Sequence, residues 1–198
     1  MIATEDRTFY KNPGFSVKGM ARAAISSVIH HGIVGGGSTL TQQLAKNALL
    51  TQKQTFSRKL EELFFAIEIN RVYSKKDILT MYLNNAYFGN GVWGVEDASQ
   101  KYFGTSASRL TLDEAATLAG MLKGPGIYNP LYSIENATSR RDTVLQNMVA
   151  AGKISQKQAN EAKKVGMGNR ISDTYVAKTD DYQYPSYFDA VISEASSV

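Results

Sequence analysis

An all-α fold follows from three features of this chain. Apolar residues recur at helical spacing over most of its length, alternating strand patterns are scarce, and helix-start signals stand ahead of the apolar runs. Val17, Met20, Ala21, Ala24, Ile25, Val28 and Ile29 keep the helical period, and Gly32 is a stop. Thr39-x-x-Gln42 is a capping box, and Leu40, Leu44 and Ala48 give the helix behind it a buried stripe. Ser57 caps a third helix with Leu60, Leu63, Phe64 and Ile67 on its apolar face. Ser74-x-x-Asp77 opens a fourth, carrying Ile78, Leu79, Tyr82 and Leu83. Thr111-x-x-Glu114 opens another, burying Leu112, Ala115, Ala116, Leu118, Ala119 and Leu122, and Gly124-Pro125 ends it. Residues 135 to 151 predict a further helix that stops at Gly152, and Ser155-x-x-Gln158 starts a last one that Gly166 ends. After Met167 the composition turns polar and irregular. That tail reads as a linker, with a short helix starting at Pro185-Ser186.

Composition sets the outer bounds. A chain of 198 residues with 43% hydrophobic content builds one domain, or one domain and a tail, around a real core. A net charge of +4 and a pI near 9.1 admit nucleic acid, anionic lipid or a phosphorylated substrate. Without cysteine there are no disulfides and no Cys-ligated zinc, and the redox compartment stays open. The longest apolar runs fall far short of a membrane span, and no basic-then-apolar signal region precedes Glu5-Asp6. Two carboxylates so close to the start suggest a fragment of a longer protein. No internal repeat is visible.

The run Gly35-Gly36-Gly37-Ser38-Thr39-Leu40-Thr41-Gln42-Gln43-Leu44-Ala45-Lys46-Asn47 is the densest signal. It places Gln42, Gln43 and Lys46 beside a helix N-terminus, which suits a polyhydroxyl ligand carrying an anion. A nucleotide P-loop is excluded, because no Gly-Lys-Ser/Thr occurs in the chain. Arg58 and Lys59 fall in a first helical turn, where the macrodipole disfavours cations, so they point to a bound anion such as a diphosphate. Glu62 follows Arg58 by four residues on the same face; a salt-bridged surface helix is the plainer alternative. Glu5-Asp6-x-x-Phe9 sets two carboxylates side by side, a pattern that in isolation is usually solvated. Arg140-Arg141 forms a second basic patch, weak alone. Gly89-x-Gly91-x-x-Gly94 matches the dinucleotide fingerprint by letter but lacks a βαβ context. It reads better as a tight loop packing Tyr87, Phe88 and Trp93, with Asp113 and Glu114 serving a helix start. His30-His31 lacks metal-ligand spacing. With no Ser-x-x-Lys or Lys-Thr-Gly there is no serine acyl-transfer site.

Taken together, these pieces resemble the peptidoglycan glycosyltransferases of glycosyltransferase family 51. Those are the membrane-proximal domain of class A bifunctional penicillin-binding proteins and their monofunctional relatives. Glu5-Asp6-x-x-Phe9 with Gly14 is similar to the first family motif, and Gly37-Ser38-Thr39-x-Thr41-Gln42-Gln43 to the second. Arg58-Lys59-x-x-Glu62 is similar to the third, Lys76-x-Ile78-Leu79-x-x-Tyr82-Leu83-Asn84 to the fourth, and Arg140-Arg141-x-x-Val144-Leu145 to the fifth. Five motifs in order carry far more than any one. The family often has a histidine where this chain has Asn12, which leaves no titrating imidazole there. The resemblance further implies a lysozyme-like helical fold truncated at its membrane-proximal part, a glycosyltransferase domain over residues 1–166, and a linker over 167–198 toward an absent transpeptidase domain.

The resemblance also implies a chemistry. The donor is a growing glycan on a polyprenyl diphosphate, lipid II is the acceptor, and an inverting displacement forms a β-1,4 bond at the outer face of the cytoplasmic membrane. Glu5 is then the base and Glu62 stands near the leaving group. Arg58, Lys59, Lys46 and Arg140 neutralise the diphosphate. Ser38, Gln42 and Gln43 bind donor sugar or phosphate oxygens, and Asp6 supports Glu5 or touches substrate. Mg²⁺ or Mn²⁺ bridging the diphosphate is allowed, although no full ligand set is readable and no organic cofactor is expected. A lysozyme-like hydrolase or lytic transglycosylase is the nearest rival. A non-catalytic basic module binding membrane or nucleic acid is the other; it explains the charge but not Glu5 or the motif order. Nucleic acid is further disfavoured because no aromatics interleave Arg58-Lys59 or Arg140-Arg141.

Overall fold

The helix starts at Thr39, Ser74, Thr111 and Ser155 fall where capping chemistry places them. A computed structural model describes residues 1–29, 37–49 and 56–172. The elements are α1 (Ile2–Glu5), α2 (Val17–Ile29), α3 (Leu40–Leu49), α4 (Phe56–Val72), α5 (Lys75–Asn85), α6 (Val95–Phe103), α7 (Leu112–Met121), α8 (Ile134–Ala150) and α9 (Gln156–Lys164), with short 3₁₀ turns at Ala107–Arg109 and Met167–Asn169. Among the described residues the only strand-like pairing is an isolated bridge between Tyr87 and Trp93, so the all-α class holds. Ser74 caps α5 by accepting from the Asp77 amide, and complete capping boxes open α7 (Thr111, Glu114) and α9 (Ser155, Gln158). Asp113 and Glu114 thus serve a helix start. Gly152, with φ of +65°, follows α8 as expected. Two helices went unanticipated, α1 and α6. The signals for α6 were Glu96 and Asp97 in its first turn and the left-handed Gly104 after its last residue.

One core gathers Phe9, Leu40, Leu44, Ile78, Tyr82, Phe88, Tyr102, Leu118 and Met121, drawing α3, α5, α6 and α7 around the first turn region. A second joins Ala116 to Val144, Leu145, Ala159 and Ala162, so α7 is shared by both. The Gly89–Gly94 segment is a tight loop with Phe88 buried and the Tyr87 and Trp93 rings 4.8 Å apart. Positive φ at Gly89, Asn90, Gly91 and Gly94 shapes it.

Expectations of two kinds are corrected, one for the faces and start of helices and one for a basic pair. The apolar stripes assigned to burial on α2 and α4 face outward: Val17, Met20, Ile25, Leu60, Phe64 and Ile67 are exposed. The cause on α4 is visible, because Glu62 and Ala66 form its inward line and the backbone at Gly14 closes on Ala66. Ser57 also lies inside the first turn of α4 rather than capping it. The second correction concerns Arg140-Arg141, which is not a surface patch. Both arginines are buried, and Arg141 donates to the carbonyls of Lys163 and Val165 at the end of α9. No helix of the described residues is long and apolar enough to cross a membrane. His30-His31, Gly32, Gly35, Gly36 and the Pro185-Ser186 helix lie outside the described residues, as do the side chains of Ala24, Val28, Ile29 and Ala48.

Gly14 has φ of +99°, and a Cβ there would stand 2.3 Å from the Ala66 carbonyl oxygen. Gly14→Ala is therefore expected to cost about 2–3 kcal/mol, read as a lower urea midpoint with unchanged slope. A midpoint equal to that of the unaltered chain would show that α4 is not docked on this turn.

Candidate active site

Glu5 ends α1, and Asp6 turns the chain directly against α3. The Asp6 carboxylate accepts from the Leu40 amide at 3.2 Å, from the Thr8 amide and hydroxyl, and from Asn12 Nδ2 at 3.1 Å to each oxygen. It acts as an anionic cap on the α3 N-terminus, where the macrodipole favours it. The substrate contact allowed for Asp6 is not what the structure presents, since both oxygens are engaged and the residue is buried. Asn12 stands at the centre of this turn. Its Nδ2 also donates to Thr8 Oγ1, while its Oδ1 accepts from the Gly14 amide and from Lys75 Nζ. Neutral amide chemistry, one donor end and one acceptor end, fills this position without a titrating group. Lys75 also lies over the Phe9 ring. Burial lowers its pKa, and the Asp6 charge opposes that shift.

The α3 N-terminus carries the second group. Gln42 Oε1 accepts from the Thr39 amide at 3.0 Å and the Gln42 amide donates to Thr39 Oγ1 at 3.1 Å, completing the capping box. Gln42 is buried, which is at odds with the sugar-contact role assigned to it: its carbonyl end closes the cap. Gln43 is half-buried and accepts from the Tyr82 hydroxyl at 3.0 Å. Burial raises the Tyr82 pKa strongly and the Glu5 charge adds to it, so the phenol remains a donor. Thr39 Oγ1 donates to the Gly14 carbonyl, tying the first motif to the second once more.

The third group lies on α4. Glu62 is 1% exposed, with Arg58 Nη2 3.0 Å from Oε1 and Lys59 Nζ 2.5 Å from Oε2. Lys59 Nζ also donates to Ser38 Oγ at 2.8 Å. The anion held at this cationic helix start is thus Glu62 itself. Lys46 is exposed in the last turn of α3 and takes no part in these pairs. Arg140, expected on the diphosphate, instead places Nη2 2.9 Å from Glu5 Oε1. Its buried side chain also donates from Nε to the Gly120 carbonyl at 3.4 Å and lies 5.6 Å from the Tyr128 ring centre. Helix periodicity could not have found this partner, because it joins residues 135 positions apart. Tyr82, Gly120 and Tyr128 escaped the sequence reading; only Tyr82 lay inside a recognised motif.

Two carboxylates are therefore each held by cations, Glu5 by Arg140 and Glu62 by Arg58 and Lys59. Both groups adjoin the α3 N-terminus, through Asp6 and through Ser38. Among the described residues no three or more His, Cys, Asp or Glu side chains group to hold a metal ion.

A family model described as transglycosylase matches residues 1–149. The chain belongs to the transglycosylase family. It is 62% identical over its whole length to penicillin-binding protein 2a of Streptococcus pneumoniae serotype 2 and spans 26% of that protein. Over 94% of its length it is 44% identical to penicillin-binding protein 1A of Aquifex aeolicus, covering 25% of it. Over 82% it is 43% identical to penicillin-binding protein 1A of Escherichia coli, covering 19%. The chain thus spans about a quarter or less of the length of these curated relatives. A crystal structure of penicillin-binding protein 1A from Haemophilus influenzae aligns over 71% of this chain and 18% of that one, at 31% identity and a TM-score of 0.45.

Removing Asn12 leaves Asp6 and the Gly14 turn short of partners. Asn12→Ala is expected to lower unfolding free energy by about 1–3 kcal/mol in chemical denaturation. Stability within experimental error of the unaltered chain would remove Asn12 from this organising role.

Proposed function

We propose that this chain is a peptidoglycan glycosyltransferase domain that joins lipid-linked disaccharides into glycan strands. The observation that carries the reading is the pair of cation-held carboxylates joined through the capped start of α3. Glu5, on the Asp6-anchored turn, takes the proton of the acceptor 4-hydroxyl as that oxygen attacks the donor anomeric carbon. The bond from that carbon to the diphosphate oxygen breaks in the same displacement, which inverts an α-linked donor to a β-1,4 product. Lys59 is the mobile cation: its side chain is 45% exposed, and it exchanges Glu62 and Ser38 for a phosphate oxygen as charge develops. Arg58 and Glu62 fix the helix turn from which it reaches, and Lys46 adds a second exposed cation. Gln43, oriented by Tyr82, offers its amide nitrogen to sugar or phosphate oxygens. Gln42 shapes that wall from behind.

Among the described residues no group of three or more His, Cys, Asp or Glu side chains is present to hold Mg²⁺ or Mn²⁺ by itself. The exposed apolar faces of α2 and α4 support work at a membrane surface, where a polyprenyl tail stays in lipid while the diphosphate enters the site. The names of the relatives support a penicillin-binding protein setting, with a transpeptidase domain beyond residues 167–198 and placement on the outer face of the cytoplasmic membrane. A glycan-cleaving enzyme would not need Arg58 and Lys59. Incubating the chain with lipid II and, separately, with purified glycan distinguishes the two: polymer from lipid II supports the proposal, and shortened glycan overturns it.

Glu5→Gln is expected to lower lipid II polymerisation by at least about a hundredfold with the fold retained. Near-normal turnover would remove Glu5 from the base role. Lys59→Ala is expected to weaken binding of a diphosphate-containing substrate mimic by about tenfold. Unchanged affinity in titration calorimetry would count against the cation at the α4 start.

A further inference from the structure

We infer that Tyr128 is a positioning residue for the catalytic carboxylate: its ring face holds the Arg140 guanidinium against Glu5. The inference rests on the reading of Glu5 as base. Arg140 has five N–H donors, yet its contacts are few. One nitrogen meets one oxygen of Glu5 at 2.9 Å, and Nε meets the Gly120 carbonyl at a long 3.4 Å. One short contact and one long one fix the plane of the guanidinium only loosely. The remaining support is the Tyr128 ring, 5.6 Å from the guanidinium carbon, within cation–π range, at an arginine only 9% exposed.

The ring itself stands on a fixed loop. The Tyr128 amide donates to the Gly124 carbonyl. The next residue, Asn129, is fully buried and donates to Asn90 Oδ1 at 2.7 Å and to the Tyr102 hydroxyl at 3.2 Å. A Cβ at Gly120 would come within 2.9 Å of Arg140 Cγ, so the arginine stem runs hard against α7. The Tyr128 ring and the close α7 backbone together restrict where the guanidinium can sit, and Glu5 inherits that restriction. A base displaced by about 1 Å loses on the order of a hundredfold in rate, so such support bears directly on turnover.

The test compares Tyr128→Leu with Tyr128→Phe in the full chain, using lipid II polymerisation. Leucine removes the π face; phenylalanine keeps it and drops only the hydroxyl. Tyr128→Leu is expected to lower kcat about tenfold with KM little changed, and Tyr128→Phe to restore it. In an Arg140→Lys background the leucine change is expected to cost little more, because both act on one contact. A crystal structure of Tyr128→Leu is expected to show the Arg140–Glu5 contact lengthened beyond hydrogen-bond reach. If Tyr128→Leu is too unstable to assay, Tyr128→Met makes the same comparison. Unchanged kcat, a loss confined to KM, a phenylalanine variant as impaired as leucine, or an intact Arg140–Glu5 contact in the crystal would each overturn the inference. Full turnover by Glu5→Gln would instead overturn the reading of Glu5, and the crystallographic comparison would still decide whether Tyr128 places Arg140.

Discussion

The hydrogen bond from the Leu40 amide to the Asp6 carboxylate fixes the frame on which the rest of the site depends. A carboxylate at a helix N-terminus is stabilised by orphan amides and by the macrodipole, together worth up to about 2 kcal/mol when partly buried. Here that local gain has a wider effect. Glu5 precedes Asp6 in the chain and Ser38 precedes the α3 cap residue Thr39. Anchoring Asp6 to Leu40 therefore sets Glu5 and the Ser38–Lys59 contact in one reference frame. Asn12, Thr8 and Gly14 close the same turn from below. The buried amide at position 12 keeps it neutral, so this frame does not respond to the pH range in which a histidine would change charge.

The cations around the two carboxylates differ in what they are free to do. Arg140 is buried, pinned by Glu5, Gly120 and Tyr128, whereas the Lys59 side chain is 45% exposed on a flexible four-carbon stem. A compact ammonium near solvent can change partners at low cost, while a buried guanidinium that left its carboxylate would strand a charge at several kcal/mol. The division of labour follows from burial. Arg140 holds, and on the proposed function Lys59 is the cation free to turn to an arriving anion. Grouping all four cations on the diphosphate, as their chemistry alone suggests, overlooks that three of them already face a carboxylate, Arg58 and Lys59 at Glu62 and Arg140 at Glu5.

Local chemistry was legible in the sequence for most of the helix caps, Ser57 excepted. The Thr39, Ser74, Thr111 and Ser155 caps each involve residues three apart and form as their spacing implies. Helix α6 was missed because its buried positions are Ala98, Ser99 and Tyr102, an inward face too small and polar to register as an apolar stripe. Motifs singled out Glu5, Lys59 and Glu62 as candidates, but the partner of Arg140 was not legible. Nothing within a helical turn reports a contact made across more than a hundred residues. Periodicity also says which residues share a face of a helix without saying which face turns inward.

Helix α4 shows why that last gap matters. At 3.6 residues per turn, Arg58, Glu62 and Ala66 share one face, and Leu60, Phe64 and Ile67 lie on the opposite one. Burying the apolar face would be the ordinary outcome. Instead, Gly14 brings the first-motif turn against Ala66 at backbone distance, and no side chain at position 14 could allow that approach. The polar face is thereby committed inward, its buried Glu62 carboxylate paired with Arg58 and Lys59 at a net charge of about +1, and the apolar face is left outward at the cost of hydrating Phe64 and Leu60. On the proposed function both consequences serve one substrate. The inward face meets the diphosphate and the outward face meets the lipid to which that diphosphate is attached, so the glycine that inverts the helix also matches it to an amphipathic donor.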